Sequence, residues 1–167
     1  IEVLWKGEPL PKEFGNTVEG YMIDLVKTYV SFIMRERFED ITAKPNAPYL
    51  GASLGIGDLC ATCEAVFGSV EFKEGDAANA FAAFMTEIEK MKRFGFNEGE
   101  VQRAKDNLIN ICQKAVEAAP TRKNAELVQP LLSSFFDNEA FLTPETELQI
   151  VQSICAQINA QVLNQVA

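Results

Sequence analysis

The sequence predicts an α+β fold, a mostly antiparallel sheet with helices packed on one face. Three observations carry this. A short apolar run opens the chain, a second pair of apolar runs lies between Tyr49 and Phe72, and helical periodicity fills the space between them and nearly everything after Ala77.

Ile1-Glu2-Val3-Leu4-Trp5-Lys6 reads as a strand, and Gly7 to Gly15, with Pro9 and Pro11, as an irregular connection. Asn16 followed by Glu19 has the form of a capping box, and Val18, Met22, Leu25, Tyr29, Phe32 and Ile33 recur at helical spacing. A helix is therefore predicted from about 17 to 43, stopped by Lys44-Pro45 and packed on the sheet through Leu25, Tyr29 and Phe32. Between Tyr49 and Phe72 the period changes, and two antiparallel strands are predicted near 49–58 and 62–72. Gly51, Gly55 and Gly57 do not make G-x-G-x-x-G and no Gly-Lys-Ser/Thr follows, so these glycines are read as places where a strand bends or packs closely.

Lys73-Glu74-Gly75-Asp76 reads as a turn into an amphipathic helix from Ala77 to Phe94, with Ala80, Phe81, Phe84, Met85, Ile88 and Met91 on one side. Gly95 is suited to end it, and Asn97 with Glu100 starts the next helix, whose stripe is Val101, Ala104, Leu108, Ile111, Cys112 and Ala115. Thr121 to Phe136 is again helical in pattern, with Pro130 expected to kink or divide it. Thr143-Pro144-Glu145 combines a cap, an N1 proline and an acid at the positive end of a helix that continues through Leu148, Val151, Ile154, Cys155 and Ile158. A last short helix or turn holds Val162, Leu163 and Val166.

At 167 residues the chain reads as a single domain, 1–167, with one core. Its 24 acidic residues against 15 basic ones give a net charge of −9, a field that repels phosphate backbones and anionic lipid heads, so neither nucleic acid nor membrane is an expected partner. No apolar run approaches the roughly 20 residues that span a bilayer. The first residues lack a Met and the zones of a signal peptide, which suggests a fragment of a larger protein whose compartment is not legible here.

Histidine is absent, so no Ser-His-Asp or Cys-His relay and no H-x-x-E-H or H-E-x-x-H metal helix can be assembled from these residues. No catalytic, cofactor-binding or metal-ligating residue is therefore assigned. Glu36, Glu39 and Asp40 cluster late in the first helix, where a carboxylate pair could act without metal, but beside Arg35 and Arg37 they read as a solvated, ion-paired face. Cys60-Ala61-Thr62-Cys63 has the C-x-x-C spacing of zinc and redox sites. With Cys112 and Cys155 alone in separate helical patterns, a four-thiolate site lacks its second pair, and residues three apart in one strand point to opposite faces. The cysteines are accordingly read as small half-buried thiols. Twelve phenylalanines fall mostly on helical stripes and do not interleave with Lys or Arg as a base-stacking platform would.

Several segments together resemble the second domain of zinc peptidases of the insulinase/pitrilysin family: Met34-Arg35-Glu36-Arg37-Phe38-Glu39-Asp40-Ile41 with Lys44-Pro45-Asn46-Ala47-Pro48-Tyr49-Leu50-Gly51-Ala52, then Phe94-Gly95-Phe96-Asn97-Glu98-Gly99-Glu100-Val101 with Ala104-Lys105, and the tail from Phe135 through Thr143-Pro144-Glu145-Thr146-Glu147 to Asn164. The resemblance covers nearly the whole chain. It implies a metalloendopeptidase or mitochondrial-processing-peptidase-like domain, one of several α+β domains enclosing a chamber, with zinc held by an inverted H-x-x-E-H helix in the first domain only. On that reading this chain holds no cofactor and catalyses nothing alone, and its partners are the other domains of the parent, above all the catalytic one, and the peptide substrate. The family's last domain carries an Arg and a following Tyr that bind substrate; Arg37 stands near the Arg position, but Tyr49 lies beyond an insertion with two prolines, and no such role transfers to either. The alternative is a structural or peptide-binding subunit from the inactive branch of the same fold. The parent's compartment is left open, a periplasmic or other extracytoplasmic one being compatible with the resemblance; separation from its neighbours should expose apolar surface near Ile1 to Trp5 and on the final helices, favouring weak self-association.

Overall fold

A computed structural model of the chain describes residues 1–60 and 62–165. These group into two compact units, one made of Ile1–Pro9, Val26–Val101 and the residues from Asn159 onward, the other of Leu10–Leu25 and Gln102–Ile158. Three strands, β1 (Glu2–Gly7), β2 (Gly51–Cys60) and β3 (Cys63–Glu71), and six α-helices are found among the described residues. The helices are α1 (Val18–Thr42), α2 (Ala77–Phe94), α3 (Glu98–Ala118), α4 (Val128–Asp137), α5 (Pro144–Cys155) and α6 (Ala160–Asn164). No described helix is long and apolar enough to cross a membrane. The predicted α+β architecture is the one observed, although Val166, placed in the last helix or turn by the sequence, lies outside the described residues.

The first unit holds the sheet, in the order β1-β3-β2, with both pairings antiparallel. β3 is central, so Ala65, Gly68 and Val70 are buried, whereas β1 at an edge buries none of its residues fully. Gly68 shows why a central strand needs a residue without a side chain: a Cβ there would lie 2.7 Å from Phe84 Cζ and 3.1 Å from Trp5 Cζ3. α2 docks on β3 through this contact. Around it, Phe38 stacks on Phe84 at 5.4 Å and meets Tyr49 edge-on at 6.3 Å, an arrangement that buries large rings with favourable quadrupole geometry. Val30, Ile33 and Met34 of α1 and Ile88 and Met91 of α2 complete the apolar interior.

In the second unit the buried side chains include Leu25, Ala104, Leu108, Cys112, Pro144, Val151, Ile154, Cys155 and Ile158. Tyr21 donates its hydroxyl to Glu147 Oε1 at 3.1 Å. α5 starts as its sequence predicts, with Thr143 Oγ1 accepting from the Thr146 amide at 3.3 Å and Pro144 at N1, where its missing N–H is not needed.

Several local readings change: Phe81 and Ile111, expected on the apolar stripes of α2 and α3, are exposed, and three more concern α1 and α4. The residue that caps α1 is Thr17, not Asn16: its Oγ1 accepts from Gly20 N at 3.1 Å, while its hydroxyl donates to Phe14 O at 2.9 Å, and both bonds are available to a hydroxyl. The apolar stripe of α1 is also shorter than its periodicity suggests, because Val18 is exposed and Phe32 only half-buried, its ring carrying the Arg35 guanidinium at 5.3 Å. Finally, Pro130 does not kink a helix running from 121. The chain passes through 3-10 turns at Ala119–Thr121 and Asn124–Leu127, and α4 begins only at Val128, which leaves Pro130 in a first turn whose amides have no helical acceptor.

Candidate functional site

The most highly connected polar structure in the first unit is the junction between α2 and α3. Gly95 ends α2 with φ 66, a left-handed conformation that glycine adopts without a Cβ penalty, and its amide donates to Met91 O at 2.8 Å. The following residue is gripped by Asn164 of α6, whose side-chain oxygen accepts from Phe96 N at 2.6 Å and whose amide donates to Phe96 O at 3.1 Å. Asn97 and Glu100 then form the predicted reciprocal cap: Asn97 N donates to Glu100 Oε2 at 2.9 Å and Glu100 N to Asn97 Oδ1 at 3.0 Å. Glu98 Oε1 accepts from Ala160 N at 3.2 Å, which ties the opening turn of α6 to the same junction.

Arg37 of α1 holds this assembly together. Its Nε donates to Glu100 Oε1 at 2.7 Å and its Nη2 to Glu100 Oε2 at 2.9 Å, the two-pronged pairing for which a planar guanidinium is shaped. Nη2 also donates to the Gly95 carbonyl at 2.7 Å, and the guanidinium lies 5.2 Å from the centre of the Phe96 ring. Glu100 is only 8% exposed, so its charge depends on this partner. The arrangement anchors backbone; its donors and acceptors are directed at one another. The sequence indicates Asn97 and Glu100 as a cap but not Glu100 as the counter-ion of Arg37, nor Asn164 as the clamp on Phe96, since these pairs are 63 and 68 residues apart. The only available signal was an acid at N3 with more to bind than its own cap.

Tyr49 is buried at 2% exposure, and its hydroxyl has no hydrogen-bond partner among the described residues. Burial, and then the nearby Glu87 carboxylate, push its pKa up to about 12. Thus Arg37 is occupied and Tyr49 is enclosed. Glu39 and Asp40 are exposed, and Glu39 sits 3.7 Å from Arg35 one helical turn back, while Glu36 is half-buried. In the same unit Lys27 pairs with Glu64 of β3.

The cysteines fall in two places. Cys112 and Cys155 are buried in the second unit, where burial first, then Glu147 and Cys155, push the Cys112 thiol up. Cys60 is exposed and Cys63 half-buried, and they do not lie on opposite faces of one strand. They end β2 and begin β3 and are Cα partners across the hairpin, which corrects the expectation drawn from their spacing. Zinc, which the resemblance implies for the parent, does not fit the donors here. Among the described residues no group of three or more His, Cys, Asp or Glu could hold a metal ion.

In the second unit α4 presents the largest exposed side chains. Phe135 is 81% exposed and Phe136 63%, and Val128, Leu131 and Leu132 are exposed beside them. Ile1 and Leu4 are exposed as expected, but Val151 and Ile154 of α5 and Leu163 of α6 are buried, whereas α4, and single side chains such as Phe94 of α2 and Ile111 of α3, leave apolar surface uncovered.

No protein-family profile matches the chain. Over 100 residues, 60% of this chain and 11% of the other, it is 27% identical to a probable zinc protease, PqqL, of Escherichia coli strain K12. The solved first half of the periplasmic protease PqqL from Escherichia coli superposes with a TM-score of 0.88 at 18% identity, covering 98% of this chain and 35% of that one. A predicted insulinase family protease from Yersinia pestis superposes with a TM-score of 0.79 at 11% identity, with the same coverage. The chain therefore spans about a third of the length of these solved proteins. Its fold is that of a domain found in insulinase-family proteases, and its sequence resembles that of a zinc protease with this fold.

Proposed function

We propose that this chain is one non-catalytic domain of a zinc-dependent metalloendopeptidase, that it forms part of the wall of the peptide-binding chamber, and that it docks against the parent's catalytic domain. The observation that carries this reading is the superposition of 98% of the chain on about a third of a solved protease half, joined to a donor set without histidine. Zinc in such a parent is held by residues outside this chain, where it would activate the water that attacks the peptide bond. What this chain contributes is shape: a sheet fixed by the Phe84–Gly68 contact, a junction fixed by Arg37, and on α4 an apolar face of the kind that neighbouring domains cover. A periplasmic parent accords with the compartment named for the PqqL structure.

The test is reconstitution. The chain alone, prepared without chelator, is expected to carry no stoichiometric zinc and to cleave no peptide, whereas mixing it with the separately produced remainder of the parent should give binding and a gain in peptidase turnover. One tightly held zinc per chain, or turnover by the chain alone, overturns the non-catalytic reading. An absence of association at about 100 μM, well above the micromolar range of modest interfaces, overturns the docking reading.

A further inference from the structure

The hairpin between β2 and β3 brings two free thiols together in a way that a single strand would not. Asp58 pairs with Glu64 and Cys60 with Cys63, with a register shift between Asp58 and Cys60. The shift takes Leu59 out of the pairing and leaves the two cysteines as the last partners before the chain turns. Directly opposed residues of an antiparallel pair have Cα atoms roughly 4.5–5.5 Å apart and side chains on the same face, which lies within the roughly 4.4–6.8 Å that a disulfide spans. Neither thiol is committed elsewhere in a core. Cys60 is exposed, with Sγ 3.6 Å from Thr62 Oγ1, and the half-buried Cys63 thiol donates to the Glu64 carbonyl at 3.4 Å. Both sulfurs can therefore turn toward each other by side-chain rotation at the surface.

We propose that Cys60 and Cys63 form a thiol–disulfide exchange site, which takes a small-molecule or protein disulfide as its oxidant and closes an intramolecular disulfide across the tip of the hairpin. Cys60 is the attacking sulfur because it is the exposed one. Hydrogen bonding from Thr62 is the main cause lowering its pKa, with a smaller contribution from Lys6, so the thiolate forms more readily. In the first step Cys60 Sγ, having lost its proton, attacks one sulfur of R–S–S–R; a bond forms between Cys60 Sγ and that sulfur, the S–S bond of the oxidant breaks, and the leaving R–S⁻ takes up a proton. In the second, the Cys63 thiolate attacks Cys60 Sγ and expels the other R–S⁻, which is protonated in turn. The two cysteines lose two electrons and two protons, and the oxidant becomes two thiols. Cys112 and Cys155 are buried in the other unit and take no part.

Glutathione disulfide is the probe. The full chain is incubated with it in excess, quenched with an alkylating agent and digested, and the peptide containing Cys60 and Cys63 is weighed. The expected product is unalkylated and two hydrogens lighter than the reduced peptide, while Cys112 and Cys155 react with alkylator only after denaturation, which reports that the fold is intact. In Cys63→Ser the mixed disulfide on Cys60 should accumulate at least about tenfold over wild type, because the resolving thiol is gone. In Cys60→Ser the lighter peptide should vanish. Full alkylation of both cysteines in wild type, or a glutathione adduct on Cys60 that persists equally in wild type and Cys63→Ser, overturns the proposal.

Discussion

The α2–α3 junction and helix α4 treat their side chains in opposite ways. At the junction, charged and polar groups are turned inward and matched: Arg37 with Glu100 and Gly95, Asn97 with Glu100, and Asn164 with Phe96. On α4, Leu131, Leu132, Phe135 and Phe136 are turned outward. Apolar burial provides most of folding stability, so a helix that leaves its largest rings in water contributes little to the chain that carries it. The contrast teaches that one region ties its elements together through matched polar groups while the other leaves its apolar side chains at the surface. Substitutions in the two should therefore separate stability from association.

The largest effect is expected at Arg37. Arg37→Ala leaves Glu100 buried without its counter-charge and Gly95 O without its donor, and should cost about 3–5 kcal/mol in urea unfolding. Arg37→Lys keeps the charge but not the fork and should lie between the two. Replacing both partners, Arg37→Met with Glu100→Gln, should recover much of the loss, because a neutral pair of similar volume leaves no buried charge without its partner. An unmoved midpoint for Arg37→Ala would show that the junction does not depend on it.

A middle-sized, pH-dependent effect is expected at Tyr49, the one buried group of this unit with no hydrogen-bond partner among the described residues. The folded chain keeps this proton until about 12, whereas an unfolded tyrosine loses it near its ordinary value of 10.0. Below that value both states hold the proton and stability does not depend on it; as pH rises from there toward 12, the unfolded state binds fewer protons and stability falls. The loss should be on the order of 1–3 kcal/mol. Tyr49→Phe should flatten this part of the profile and leave stability at neutral pH within about 1 kcal/mol, since an unpaired hydroxyl is removed. Tyr21, whose pKa is also raised by burial and then by Glu147, adds a separate contribution that Tyr21→Phe removes. Chemical denaturation of wild type and both variants at neutral and alkaline pH checks this. Equal alkaline losses in wild type and Tyr49→Phe would refute it.

The smallest effect on stability is expected on α4. Phe135→Ser should change the unfolding free energy by no more than about 0.5 kcal/mol, as for an exposed position, yet weaken association with the remainder of the parent by at least about tenfold. A loss above about 2 kcal/mol in the isolated chain would place Phe135 in a core and erase the contrast with the junction.

Much of the fold was legible from local pattern. The helix from Ala77 to Phe94 is bounded as its periodicity and Gly95 predict, the Asn97–Glu100 box forms as written, and Thr143-Pro144 opens α5. These succeed because caps and amphipathic stripes are decided within a turn or two of helix. The failures share another cause. Asn16 and Thr17 are both competent caps, and the choice turned on the Phe14 carbonyl; Val18 fits the stripe of α1 but sits where nothing covers it; and Pro130 was acceptable once α4 began at Val128.

The sequence by itself determined the α+β class, the order of the elements and the absence of any histidine to ligate a metal, since each follows from composition or from neighbours a few residues apart. Only the tertiary structure decided that Arg37 meets Glu100, that Asn164 holds Phe96, that Tyr49 is enclosed and that Cys60 faces Cys63 across a hairpin. Each of these depends on how distant segments or opposed strands come together, and periodicity along one chain carries no information about which side chain will stand opposite another.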